Sequence, residues 1–295
     1  MKLVALLSWY REDPAWLYRA VKSLERLDVQ HLVALDGAYA LFPRARNRSG
    51  LAEHEAITSA AYELGIGVTI HVPGQPWQGG EIEKRTALFR YGDQVTTDGE
   101  DWYVVVDADE VVRDAPADLH ERLRTSLFDV ADVTFSEVMA TGHRDDYPIP
   151  ILFRARHGIV VTGNHFTYRS PTGGLLWGNA RTEKMLPRLD LTGNVVVDHF
   201  TELRHDDRKR AAKDYYRARD EALIEAGPCH LCSQPASRTL PYHWREVGDG
   251  HAAEWVEVCA ACAPSVVERG KDQLRAFGLD PDRVLMYERQ GPVPA

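Results

Sequence analysis

Several absences narrow what this chain can be. The longest apolar runs, such as Leu3–Leu7 and Val104–Val106, are strand-sized, far below the roughly 20 residues of a bilayer-spanning helix. Glycine (22) and proline (16) are near average for 295 residues, which excludes collagen-like and broadly disordered chains. Positive charge is outnumbered, with 35 Lys+Arg against 44 Asp+Glu and a net charge of −9. Gripping a phosphate backbone needs a concentrated positive face, so that is not expected as the main task. No internal repeat appears. Cysteine occurs four times only, in two close pairs.

What is present reads as alternating strand and helix over the first two hundred residues. The opening Met1–Ser8 has the look of a secretion signal, but its apolar stretch is short and meets Trp9-Tyr10-Arg11-Glu12-Asp13 at once. It reads instead as a strand buried on both faces, Leu3–Leu7. Asp13 is placed as N-cap before Pro14, and Leu17, Ala20, Val21, Leu24 and Leu27 then form one helical stripe. Strands follow at His31–Leu35, Val68–Val72 and Trp102–Val106, and helices at Leu51–Leu64, with Gly65 as its stop, and Glu81–Tyr91. This alternation predicts an α/β fold, a mainly parallel sheet flanked by helices. Beyond Asp114 a helix is expected over Pro116–Leu127. Shorter β-like runs come next, at Val130–Phe135, Ile149–Arg154, Ile159–Thr162 and Val195–Val197, and then a charged helix over Arg208–Glu225.

In an open parallel sheet, ligands bind outside the carboxyl ends of the strands. Ser8, Asp36 and the pair Asp107/Asp109 stand at such ends. Two carboxylates two positions apart, just past a buried strand, suit a hard divalent cation that also binds substrate phosphates; an ordinary acidic turn is the competing reading. The surroundings of the motif resemble nucleotide-sugar-dependent glycosyltransferases of the GT-A fold, Rossmann-like in their sheet, and family-2-like enzymes in particular. The resemblance spans roughly residues 1 to 225. It rests on Ser8-Trp9-Tyr10-Arg11-Glu12 after the first strand, Asp36 after the second, and Glu83-Lys84-Arg85 early in a helix. The Asp-Xaa-Asp motif Asp107-Ala108-Asp109-Glu110 and the later Asp198-His199-Phe200 complete it.

The resemblance implies roles. Ser8 and Tyr10 belong to the nucleotide-binding loop, and Asp36 contacts the base or ribose. Lys84 and Arg85 add positive potential near the nucleotide. Asp107 touches the ribose and the metal, and Asp109 and His199 hold Mn²⁺ or Mg²⁺ on the diphosphate of a donor, expected to be a UDP-sugar. Trp9 is a further stacking candidate. For the catalytic base, Glu137, Asp145 and Asp146 are the carboxylates that follow the metal motif, and His165 stands where related enzymes often contact the acceptor. The family's late Gln-Xaa-Xaa-Arg-Trp element is missing, which argues against a processive synthase. The acceptor stays open among a protein, a modified nucleic-acid base such as in DNA, a glycan and a small molecule. A nucleotidyltransferase that makes activated sugars is the alternative enzyme, although Ser8–Asp13 is not the Gly-rich loop it normally carries.

The cysteines form Cys229-His-Leu-Cys232 and Cys259-Ala-Ala-Cys262, separated by 26 residues. Two Cys-x₂-Cys knuckles match a closed tetrahedral Zn²⁺ site. Two disulfides are the alternative, which a reducing cytoplasm, the expected location, disfavours. The expected organisation is a catalytic domain over 1–226, a four-cysteine zinc module over 227–270 and a tail over 271–295, frayed from Gln290. The module carries a net charge of −2 from three arginines and five acids, not the basic stripe of a nucleic-acid reader. A structural brace or protein contact is therefore favoured, with a catalytically silent zinc-ribbon adaptor as the non-enzymatic alternative. No membrane insertion is expected.

Overall fold

The structure, a computed structural model, describes residues 1–162, 167–178, 185–201, 206–226, 229, 231–232, 236, 238–247, 250–259, 261–276 and 289–290. His165 lies outside these residues, as do 277–288 and 291–295 of the expected tail. The strands in chain order are β1 (Leu3–Ser8), β2 (His31–Leu35), β3 (Gly67–His71), β4 (Trp102–Asp107), β5 (Glu110–Asp114), β6 (Val130–Val138) and β7 (Arg144–Arg154). Four short ones follow, β8 (Val160–Val161), β9 (Tyr168–Arg169), β10 (Leu175–Trp177) and β11 (Leu189–Asp190). The last are β12 (Val196–His199), β13 (Arg238–Val247), β14 (Gly250–Val258) and β15 (Arg289–Gln290). The helices are α1 (Pro14–Ser23), α2 (Leu51–Leu64), α3 (Gly80–Gly92), α4 (Leu119–Thr125), α5 (Asp206–Ala226) and α6 (Ala263–Ala276).

A curled, mostly parallel sheet runs β3-β2-β1-β4-β7-β6-β12-β5, with β11 beside β6. Its pairings β1–β2, β1–β4, β2–β3, β6–β12 and β6–β11 are parallel, while β7 runs antiparallel between β4 and β6 and β5 pairs antiparallel with β12. Because β7 reverses twice, β6 and β12 run the same way as β1, β2 and β4. The ends of all five strands therefore reach one edge.

Alternation along β1 decides which side chain meets which layer. Leu3, Ala5 and Leu7 pack with Leu17 and Val21 of α1, Ile57 and Ala60 of α2 and Leu119 and Leu123 of α4. Val4 and Leu6 face the other layer, with Ile82, Leu88 and Phe89 of α3. α3 lies close to the sheet because residue 92 is glycine: a Cβ there would sit 2.8 Å from the Tyr103 ring and 3.0 Å from Leu6. The expected helix signals appear as structure. The Asp13 side chain accepts from the Ala15 N–H, and Gly65 adopts φ 69°, the left-handed stop that glycine takes without strain.

Two departures have physical causes, and a third is a shortened helix. Residues 110–114 form a strand because the short turn after Asp107 folds them onto β12. β7 starts at Arg144, whose polar, exposed first residues are held by their ladder to β6 and not by burial. The expected helix over 116–127 shortens to Leu119–Thr125. In the C-terminal segment, β13 and β14 form a hairpin to which Arg289–Gln290 adds a third strand, and α6 runs across the boundary expected at 270. Among the described residues no helix is long and apolar enough to cross a membrane.

Candidate active site

The sheet edge carries a cleft of about 380 Å³, lined among others by Ser8, Tyr39, Arg85, Asp107, Glu110 and His199. Register explains the grouping. Ser8 is the in-register partner of Asp107 across β1 and β4, and His199 lies opposite Glu137 on β6 and Glu110 on β5. Residues far apart in sequence thus meet because their strands end together.

The innermost group is an imidazole between carboxylates. His199 Nδ1 is 2.6 Å from Glu137 Oε2, and Nε2 is 3.3 Å from Asp109 Oδ2. Asp109 is 2% exposed, accepts from the Thr201 hydroxyl at 3.2 Å, and its backbone carbonyl accepts from Phe200 N–H. Burial alone would lower the His199 pKa; the hydrogen bond and charge of Asp109, with Glu110 and Glu137, raise it instead to about 9. Glu110 behaves oppositely. Burial, with Asp107 and Asp109 close by and His199 opposing them, pushes its carboxyl up to about 8. One oxygen of Glu110 accepts from the Asp107 N–H at 2.9 Å.

A second group brings positive charge. Arg85 donates to Asp107 Oδ2 at 2.7 Å and to Glu81 Oε1 at 3.1 Å. Burial opposes its charge, and Asp107 together with Glu81 more than restores it. The i,i+4 spacing of Glu81 and Arg85 on α3 was the legible signal for that pair.

Not every candidate reaches the cleft with free groups. Asp36 is fully buried, and its two oxygens accept from Gly37 N, Ser49 N, Ser49 Oγ and His54 Nε2 at 2.6 to 2.8 Å. Its place in the structure is an internal brace of the loops after β2, not a base or ribose contact. Lys84 is 1% exposed and donates to the carbonyls of Trp9 at 2.6 Å and Gly37 at 2.8 Å; it ties the ends of β1 and β2 together instead of presenting an ammonium to a nucleotide. Tyr10 is 4% exposed, packs edge-on against Phe42, and its hydroxyl accepts from the Arg46 N–H. Trp9 is buried beside His54. Both rings support the cleft wall, and neither is an open stacking face. Asp145 and Asp146 are exposed on β7, Asp145 pairing with His143. Of the three base candidates only Glu137 stands in the polar group.

Burial lowers the Lys84 pKa to about 7 against the pull of Asp36. In an unfolded chain the amine keeps its proton to about 10.4. Between these values the unfolded state binds more protons, so rising pH favours the folded state. Urea unfolding of wild type and Lys84→Met at about pH 6.5 and about pH 9.5 should therefore show the wild type gaining on the variant as pH rises. A constant difference would mean that the amine titrates normally.

For a divalent cation the fit is partial and specific. Asp109 and His199 stand together, while Asp107 is drawn to Arg85. Among the described residues only the four cysteines place three or more ligand atoms within 4.8 Å of one another. Mg²⁺ usually takes one or two carboxylates plus phosphate oxygens and waters; here the carboxylate beside the cleft-lining His199 is Asp109, which is 2% exposed.

The cysteine group is more complete. Cys229, Cys232 and Cys259 are buried, all four thiols are free of disulfides, and their sulfurs lie within 4.8 Å of one another. Zn–S bonds of about 2.3 Å put tetrahedral sulfurs about 3.8 Å apart, so the cluster could hold a metal such as zinc. Cys229, Cys232, Cys259, Val258 and Val266 share an apolar cluster with Trp77 and Ile82 beside the start of α3. The contact is tight: a Cβ on Gly79 would lie 2.7 Å from that of Ala261.

No protein-family model matches the chain, and no curated protein does. Among solved structures, one similar to part of it is described as a glucose-1-phosphate thymidylyltransferase from Bacillus anthracis in complex with sucrose. It is 17% identical, with a TM-score of 0.31, over 46% of this chain and 55% of that one. This chain thus spans about half the length of that protein, and a likeness of this size carries no argument about activity.

Proposed function

We propose that the chain is a metal-dependent glycosyltransferase that moves a sugar from a nucleotide-sugar donor, UDP-linked by preference, to an acceptor hydroxyl or amine. The observation that carries this reading is that Arg85, Asp107 and His199 line one cleft at the strand ends, with Asp109 and Glu137 each against a ring nitrogen of His199. Breaking a sugar–phosphate bond leaves a diphosphate whose charge grows in the transition state. Asp109 and His199 would hold Mn²⁺ or Mg²⁺, which supplies Lewis-acid neutralisation of that charge. Arg85, kept cationic by Asp107 and Glu81, adds a fixed positive group at the same edge. Tyr39 and the exposed Tyr216 line the cleft near α5 and offer rings to a base.

Glu137 is the base this reading prefers, and His199 orients it; a carboxylate removes the acceptor proton as the new bond forms. The cysteine segment, holding Zn²⁺, braces the start of α3 and so the placement of Arg85. Turnover of a sugar-nucleotide panel with Mn²⁺, read as nucleoside diphosphate release, tests the assignment. Pyrophosphate formation from a sugar phosphate and a nucleoside triphosphate would favour the nucleotidyltransferase instead. No turnover and no donor-induced thermal shift would favour a binding adaptor.

A further inference from the structure

Arginines on this surface usually stand beside acids. Arg122 pairs with Asp118, Arg124 with Glu121 and Arg275 with Asp272, each within one helical turn. Others do not, and four of these lie together. Arg11, Arg44, Arg46 and Arg48 line a single cavity of about 420 Å³ with Ser49 and Glu53, and their guanidinium groups have no ion pair among the described residues. Residues 37–52 contain three of these arginines and no acid, in a chain whose net charge is −9. Glu53 is the one carboxylate lining that cavity.

The backbone that carries them is fastened at several points. Arg11 N–H donates to Ser49 Oγ, Arg46 N–H to the Tyr10 hydroxyl, and Asn47 Nδ2 to the Pro73 carbonyl. Ser49 is in turn held by Asp36. Arg11 and Arg44 have φ of 48° and 54°, a conformation that costs a non-glycine residue free energy and persists only when its surroundings impose it. An adjoining cavity of about 520 Å³ shares Arg11 and Arg44 and adds Asp13, Asp207 and Arg208, the last paired with Glu12 at 2.8 Å. Four like charges carried by this fastened backbone around one concavity repel one another, and an anion relieves that repulsion. Guanidinium forks match phosphate oxygens in pairs, and the cavity has room for more than one phosphate.

We propose that the Arg11/Arg44/Arg46/Arg48 cavity is a phosphate-binding site, separate from the cleft, that takes a group carrying two or more phosphates. A free polyphosphorylated molecule and the backbone of a single-stranded nucleic acid present the same chemistry. The site stands whether or not the cleft transfers sugar.

The test uses the full chain with its zinc, no added divalent cation, and two probes: inorganic pyrophosphate by calorimetry and a short single-stranded oligodeoxynucleotide by fluorescence anisotropy. Wild type and Asp109→Asn should bind alike. The exposed pair Arg46→Glu/Arg48→Glu should weaken binding on the order of 100-fold, since each swap removes charge-assisted hydrogen bonds and adds repulsion. Pyrophosphate binding alone identifies a compact phosphate ligand. Oligonucleotide binding that pyrophosphate displaces, with log affinity falling about 2 to 3 units per decade of salt, identifies a backbone held at three or four phosphates. Absence of binding to both probes below about 1 mM, or wild-type affinity in the doubly reversed variant, would overturn the proposal. Should that variant unfold by circular dichroism, Arg48→Gln takes its place and must still weaken binding.

Discussion

Asp109→Asn should lower sugar-nucleotide turnover about 10³-fold with Mn²⁺ present. The change keeps the size and the partner of the side chain, since an amide oxygen still accepts from Thr201, but removes the charge beside His199. A cation that stabilises a leaving diphosphate is worth several kcal/mol in the transition state, and each 1.36 kcal/mol is tenfold in rate. The loss should fall on kcat, because neutralisation matters most as the charge develops. Diphosphate release measured across donor and Mn²⁺ concentrations checks it. Turnover close to wild type at saturating Mn²⁺ would remove Asp109 from the metal role and, with it, the main support for the proposed activity.

Removing the metal from the cysteine cluster should have the second largest effect. The purified chain should carry about one Zn²⁺, since four sulfurs fill a tetrahedral shell. A structural zinc site supplies about 10 kcal/mol or more of folding free energy to a small segment that has little core of its own. Cys232→Ser, or prolonged chelation, should therefore open the hairpin of β13 and β14 to proteolysis. Because Cys232 and Cys259 share an apolar cluster with Trp77 and Ile82, the start of α3 should loosen with them and donor affinity should fall. Elemental analysis, limited proteolysis and donor titration of the stripped chain read the three effects. A zinc-free chain with unchanged protease resistance would show that the thiols hold the segment without metal.

Much of the fold was legible because its cues are local. Buried parallel strands announce themselves as short apolar runs, and Asp13 and Gly65 mark helix ends by chemistry that acts over one turn. β5 was not legible, because Glu110-Val-Val-Arg-Asp114 reads as the tail of an acidic turn until β12 lies beside it. The polar beginning of β7 was hidden for the same reason. In the site, the nearness of Asp109 and His199 is what the resemblance to GT-A enzymes implied, whereas no local cue tells which of Glu137, Asp145 and Asp146 stands beside His199, since that depends on strand register. Asp36 and Lys84 misled most. A charged residue at a strand end or in the first turn of a helix looks like a ligand contact, and nothing local reveals that Ser49, His54 and two carbonyls from distant loops have claimed its hydrogen bonds. The arginine cavity was invisible for a like reason, since Arg11 and Arg44 are 33 positions apart and meet only through the Tyr10 and Ser49 contacts.

The close approach of Gly79 to Ala261 has a consequence for inheritance. A methyl group added at Gly79 pushes the cysteine segment off the loop that begins α3, so change there is tolerated only with compensating change at Ala261. Across descendants of this chain the two positions should vary as a pair. A lineage that lost the cysteines would also have to replace Trp77 and Ile82 with polar residues, or bury them under something else.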